Sequence, residues 1–209
     1  MEDVLAVYHR PYDPKRPQVC VDEIQKTLRS TPRGAILLQP GQPRREDYEY
    51  ERHGHCALFL AVEPLAGFRR LWVHARRTKL DFAEVLRHLA DVVYPDAQVI
   101  VLVVDNLNIH HPACLYERFE PAEARRIAER FEWHYTPEHA SWLNIAECEL
   151  SVLKRQCLNS RLPDIDTVRQ KVAAWQNQRN QRQTTIDWRF STEDARIKLK
   201  RLYPIVKVQ

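Results

Sequence analysis

Apolar and polar positions change rhythm several times along the chain, and each change predicts an element. In "RPQVCVDEI" the residues Val19 to Val21 read as a short strand that delivers Asp22 at its end. The next stretch, "STPRGAILLQPGQPRREDY", holds three prolines and two glycines and reads as an irregular connection. "YEYERHGHCALFLAVEPLAGFRRLWVHA" then carries Gly54 and a "PLAG" turn at 64–67, which predicts a meander of antiparallel strands. From Thr78 the period lengthens. Phe82, Val85, Leu86, Leu89 and Val93 recur at helical spacing, so roughly 78–94 is an amphipathic helix. The run "VIVLVV" at 99–104 follows, apolar at every position, as in a central strand buried on both faces. Antiparallel strands, a helix and a buried strand make a mixed α/β sheet with a crossover.

The C-terminal third is helical. Ser141 is a plausible N-cap, and Ala146, Leu150, Leu153 and Cys157 form one apolar stripe, which predicts a helix over 142–158. Glu147 stands one residue off that stripe, near the boundary of core and solvent. A second helix, about 164–181, turns Ile165, Val168, Val172 and Trp175 inward. A third, about 191–201, opens on the capping-box pattern "STED", Ser191 with Asp194. No internal repeat or low-complexity tract interrupts the pattern.

Charge and composition narrow the class. Residues 151–209 hold 13 Lys or Arg against 5 Asp or Glu, whereas residues 1–150 hold 19 against 23. A basic tail on a mildly acidic body points to a polyanion partner for the tail, although solvated arginine-rich helix faces give the same count. With 209 residues, 44% hydrophobic and 29% charged, the composition is that of a soluble globular chain. No run of 18 or more apolar residues is present to span a bilayer, and the N-terminal "MEDVLAVYHRPYDPKRP" has no apolar signal segment. Five cysteines without a CxxC pair (Cys20, Cys56, Cys114, Cys148, Cys157) suit reduced thiols in a cytosol.

Three acids then stand in comparable places. Asp22 ends one predicted strand, Asp105 ends another, and Glu147 lies early on a helix. Asp105 reads either as a cap or turn residue or as a metal ligand. If the two strands are parallel neighbours, their tips lie about 5 Å apart, and two carboxylates there repel unless a cation or proton is shared. Oxygen ligands without clustered cysteine or histidine favour Mg²⁺ or Mn²⁺. Two such ions about 4 Å apart activate a nucleophile and stabilise a leaving oxygen at a phosphodiester.

The segments "VCVDE", "VVDNLNIHH" and "HASWLNIAECE" together resemble the three catalytic segments of DDE transposases, in particular the bacterial insertion-sequence branch of the Tc/mariner superfamily. The family's Asp-Asn-x-x-x-His is matched by Asp105, Asn106 and His110. Its Leu-Asn-x-x-Glu is matched by Leu143, Asn144 and Glu147, and its strand-end Asp-Glu pair by Asp22 and Glu23. The resemblance implies an RNase H-like (retroviral-integrase-like) fold over 1–160 with a basic helical extension, 161–209, packed on it. It further implies that Asp22, Asp105 and Glu147 ligate two Mg²⁺ (or Mn²⁺) ions for DNA cleavage and strand transfer. The implied partners are transposon ends, a target with a TA dinucleotide and a second copy of the chain, in a bacterial cytoplasm at the nucleoid. The second-to-third acid interval, 105 to 147, is longer than in eukaryotic relatives, and a helical insert at 121–131 ("PAEARRIAERF") absorbs the difference. No helix-turn-helix module precedes Asp22, so the sequence reads as a catalytic domain alone. A rival reading is a truncated, non-catalytic product that binds DNA or full-length transposase and regulates transposition.

Supporting roles fall to Asn106 and His110, which could orient a carboxylate or be part of a loop network, and to Asn144, one turn before Glu147. His139, Trp142, Lys154, Arg155, Arg161, Arg169, Arg179 and Arg182 are candidates for DNA contact, Trp142 equally for a core anchor. Strand alternation points Glu23 away from Asp22. The "HGH" at 53–55 is better read as a polar turn than as a metal pair.

Overall fold

The computed structural model describes residues 1–32, 35–36, 40–41, 45–46, 48–138 and 140–203. It contains strands β1 (Gln18–Ser30), β2 (Ala35–Ile36), β3 (Arg45–Glu46), β4 (Glu51–Glu63), β5 (Phe68–His74), β6 (Ile100–Val104) and β7 (Phe131–Tyr135). The helices are α1 (Glu2–Tyr8), α2 (Lys79–His88), α3 (Ala113–Arg118), α4 (Pro121–Ala128), α5 (Ile145–Gln156), α6 (Ile165–Gln181) and α7 (Thr192–Lys198). Five strands form one sheet in the order β5-β4-β1-β6-β7, and β2 with β3 forms a separate ribbon. β5, β4 and β1 run antiparallel, whereas β1, β6 and β7 run parallel. This is an RNase H-like mixed sheet with flanking helices, as the sequence implies.

Helices cover both faces, which is why "VIVLVV" and "CALFLAV" are apolar without alternation. Val19, Val21, Phe59, Leu102 and Val104 pack with Phe82, Leu86, Leu115 and Ile127 of α2–α4. On the opposite face Leu58 and Leu60 meet Leu150 and Leu153 of α5 and Val168, Val172 and Trp175 of α6. Cys20, Val101 and Val103 pack there too, against Val4, Val7 and Tyr8 of α1. No helix among the described residues is long and apolar enough to cross a membrane.

The helix expected at 78–94 is α2 continued by a π-turn, Leu89–Val93, with Thr78 and Asp81 closing a capping box at its start. The 164–181 and 191–201 helices appear as α6 and α7, capped by Asp164 and Ser191. Four expectations shift. β1 is 13 residues long, so Asp22 lies inside the strand, because Ile24 and Leu28 keep packing beyond the charged pair. The 142–158 helix starts at Ile145 with Asn144 as N-cap, and Ser141–Leu143 forms a 3-10 turn before it. "HGH" is no turn but part of β4, exposed beside a register shift between Thr27 and Arg29. The insert at 121–131 stops at Ala128, since Phe131 already belongs to β7, a strand the helical reading overran. α1 and α3 had no counterpart in the expected elements.

Candidate active site

Parallel pairing of β1 with β6 ends at Cys20 and Val103, yet β1 continues beside β4 to Ser30. The sheet therefore splits just after Cys20. The chain leaves β6 at Asp105, and a cleft of about 490 Å³ opens at the split. Four acids line it, Asp22, Glu23, Asp105 and Glu147, with two cations, Arg77 and Lys154. The three acids singled out from sequence thus border one cavity at the carboxyl ends of parallel strands, where α/β sheets generally bind ligands.

Each acid is positioned by a different device. Asp22 shares the face of Cys20, toward α5, and its Oδ1 accepts the Glu23 N–H at 2.8 Å. Burial pushes its carboxyl up to about 7; the Glu23 N–H opposes this, and the charges of Glu23 and Asp105 add to it. Asp105 Oδ1 accepts the Leu107 N–H at 3.1 Å and lies 2.5 Å from His110 Nδ1, so Asp105 is a turn residue and a cleft residue at once. Burial raises its carboxyl, but bonding to His110, the His110 charge, the Leu107 N–H and Arg77 together hold it below the ordinary value.

Glu147 stands in the first turn of α5, and Asn144 fixes where that turn begins. The Asn144 Oδ1 accepts the Ala146 N–H at 3.1 Å, while its Nδ2 donates to the Val21 carbonyl at 2.9 Å. One side chain therefore caps the helix and ties it to β1 next to Asp22. Tyr8 braces the same corner, donating to the Leu143 carbonyl at 2.7 Å and accepting the Ile145 N–H at 3.3 Å.

His110 is 1% exposed. Its Nδ1 faces Asp105, its Nε2 is 2.8 Å from Glu23 Oε2, and its ring centroid is 4.6 Å from that of Phe82. Burial lowers its pKa, but the two carboxylates outweigh this and raise it to about 9, so both ring nitrogens donate. Glu23 points away from Asp22, as alternation requires, toward the α2 face. Its Oε1 lies 3.4 Å from Arg77 Nη1.

The donor chemistry fits a hard divalent cation. Asp22, Asp105 and Glu147 offer oxygen only, and the Asp22 carboxyl is raised first by burial and then by the charges of Glu23 and Asp105, a cost to its charged form that a cation would relieve. The carboxylates border one cleft without closing into a cage: among the described residues no three His, Cys, Asp or Glu side chains converge to ligating geometry.

The remaining candidates separate. Asn106 is exposed and donates to the Thr136 carbonyl at 2.6 Å, joining the loops that leave β6 and β7. Trp142, 39% exposed, rests edge-on against Phe190. Lys154 borders the cleft, and Arg155 and Arg182 are exposed. Arg179 is not available to DNA as expected, because its guanidinium is bound to buried Glu149 at 2.8 and 2.9 Å. Arg161 donates to Thr31 Oγ1 and the Glu49 carbonyl, and Arg169 pairs with Asp166. His139 lies outside the described residues. Sequence reasoning missed Arg77 altogether; its position just before a capped helix was the available signal.

A split mixed sheet with acids around the split defines a carboxylate-bearing RNase H-like domain. The family model described as "DDE superfamily endonuclease" matches residues 17–169, and the chain belongs to that family. Membership implies use of a divalent metal. Solved structures with the same fold include the Mos1 transposase paired-end complex with the left transposon end (16% identity, TM-score 0.54), covering 87% of this chain and 55% of that one. The Mos1 strand transfer complex (16%, 0.53) covers 87% and 54%, and a pre-cleavage Mos1 transpososome (15%, 0.52) covers 87% and 58%. The chain thus spans little more than half the length of those Mos1 chains. No curated protein sequence gives a match.

Proposed function

We propose that this chain is the catalytic domain of a DNA transposase of the Tc/mariner type, from the bacterial insertion-sequence branch, acting at the nucleoid. Residues 1–160 form the catalytic core and 161–209 a basic extension packed on it. Asp22, Asp105 and Glu147 are the catalytic acids and would hold two Mg²⁺ (or Mn²⁺) ions. When bound, such ions lower the pKa of water and stabilise a departing oxygen at a phosphodiester. The chain's own residues provide the rest: Asn144 sets Glu147 against Asp22, His110 aims Asp105, and Lys154 and Arg77 offer positive charge to the phosphate backbone at the cleft mouth. The reaction is cleavage at the element ends and joining of the freed 3′-OH to target DNA. A TA target fits the ease with which that step deforms, and a homodimer would hold two ends together. The Mos1 complexes with transposon ends lend support to this reading.

The observation that carries the proposal is the convergence of three acids, 125 residues apart in the chain at their extremes, on one cleft where the sheet splits. It favours retained chemistry over a purely regulatory, DNA-binding product. The test is nicking of supercoiled and element-end DNA in Mg²⁺ or Mn²⁺. The parent chain should nick, and Asp105→Asn and Glu147→Gln should lose at least 100-fold in rate while still binding DNA. Equal nicking by parent and variants would defeat the assignment. Binding without nicking by any of them would leave the regulatory reading in place.

A further inference from the structure

We infer that Glu23 is a positioning residue that fixes the cleft acid Asp105 through His110; this deepens the reading above and rests on it. The geometry is a buried relay. His110 is wedged between two carboxylates, with Nε2 2.8 Å from Glu23 Oε2 and Nδ1 2.5 Å from Asp105 Oδ1. Glu23 is 7% exposed and His110 1%, and Phe82 packs on the ring. Neither ring nitrogen has an alternative partner among the described residues, so ring orientation is set by the two acids.

The two ends of the relay differ in freedom. Asp105 sits on a loop just past Val104, where only the Leu107 N–H and His110 restrain its carboxylate. Both restraints act on Oδ1, which leaves Oδ2 for a cation. Glu23 belongs to β1, paired with Phe59 of β4 in the middle of the sheet. A loop carboxylate is thereby referenced to a rigid strand, which is the condition for holding a site to sub-ångström tolerance. Arg77, at the outer end, neutralises part of the Glu23 charge from the cleft mouth.

The relay also explains an arrangement that is otherwise costly. Adjacent acids Asp22 and Glu23 occur in the core of a strand, where charged groups are rarely tolerated unpaired. Alternation sends them to opposite faces, Asp22 toward α5 and Glu23 toward His110. Glu23 also borders the cleft, but its Oε2 faces His110 and its Oε1 faces Arg77. It therefore acts through these partners, as outer partners of metal-ligating residues commonly do.

The experiment is a calorimetric Mn²⁺ titration of the full chain beside Glu23→Ala, Glu23→Gln, His110→Ala and the double variant Glu23→Ala/His110→Ala, with circular dichroism to confirm folding. Glu23→Ala should weaken Mn²⁺ binding 10- to 100-fold. Glu23→Gln, whose amide oxygen still accepts from Nε2, should recover to within about threefold of the parent. The double variant should bind no more weakly than His110→Ala, because Glu23 acts only through the ring. Fully additive losses, or equal losses for Gln and Ala, would overturn the positioning role and point to a direct charge effect. An unchanged Glu23→Ala beside a binding parent overturns it as well, while absence of Mn²⁺ binding in the parent overturns the metal reading beneath it.

Discussion

Asp22 illustrates at the residue scale how the site works against the fold that carries it. Its carboxyl is pushed up to about 7 from an ordinary 3.8, chiefly by burial, so the folded chain favours the protonated form. A raised carboxyl contributes its full stability below the unfolded value and loses it as pH rises toward the folded one. His110, raised from 6.5 to about 9, loses its contribution between those values. Both effects have the same sign, so the metal-free chain should become less stable from about pH 4 to 9. Thermal unfolding in EDTA across that range checks this. Asp22→Asn keeps an oxygen for the Glu23 N–H and removes the charge. It should be more stable than the parent at pH 8 by on the order of 2 kcal/mol, with a flatter slope between pH 4 and 7. Added Mn²⁺ should stabilise the parent and not the variant. A parent whose melting temperature rises between pH 6 and 8 would contradict the argument.

At the scale of elements, the tightest constraint lies where α6 meets the edge strand β5. Gln176 and Asn180, one helical turn apart, bond the backbone of Leu71 and Arg69 in place of a neighbouring strand. Buried Glu149 of α5 holds Arg69 and Arg179 at once, each through two nitrogens. An edge covered in this way cannot template another chain. Breaking the triad leaves buried guanidinium charge uncompensated, so Glu149→Ala should cost about 3–5 kcal/mol in denaturant unfolding. Gly67, in the β4–β5 turn, has φ +66, and a Cβ there would meet the Gln183 carbonyl carbon at 2.6 Å. Both the left-handed backbone and the close approach oppose a side chain, so Gly67→Ala should destabilise by about 1–3 kcal/mol.

These elements also mark how far the sequence could be read. Periodicity located α2, α6 and the central strand, because their apolar positions face a single core or two. A capping box marked the start of α7, and the three acids that border the cleft stood in segments that resemble a known family. The buried triad was not, since Arg69, Glu149 and Arg179 carry no local signal and meet only after the sheet and helices pack. The Glu23–His110 contact was hidden for the same reason: 87 residues separate its partners. β7 was lost because "FEWHY" continues a helical-looking stretch and mixes polar with aromatic residues, Glu132 and His134 among them, instead of the apolar run that marks β6.

For the whole molecule, the basic excess of the last 59 residues divides into two populations with different consequences. Arg179 is consumed by buried Glu149, and Arg161 is bound to Thr31 and the Glu49 backbone, whereas Arg169 has an exposed surface pair with Asp166 that phosphate can displace. Lys154 borders the cleft, and Arg155 follows it on α5, exposed. Arg182 is exposed at the end of α6. Net charge alone treats these alike, whereas only a side chain free to meet phosphate releases counterions on binding. Lys154→Ala and Arg155→Ala should therefore each weaken DNA binding across sequences and reduce the salt slope by about 1, with unfolding unchanged. Arg179→Ala should do the reverse, lowering stability by a few kcal/mol through the orphaned Glu149 while leaving the salt slope of the folded protein as it was. Fluorescence anisotropy against labelled duplex from 50 to 200 mM salt, paired with a denaturant melt of each variant, separates the two. If Arg179→Ala flattened the salt slope as Lys154→Ala does, the arginines of the tail would have to act together on DNA. The ion triad would then open when DNA binds.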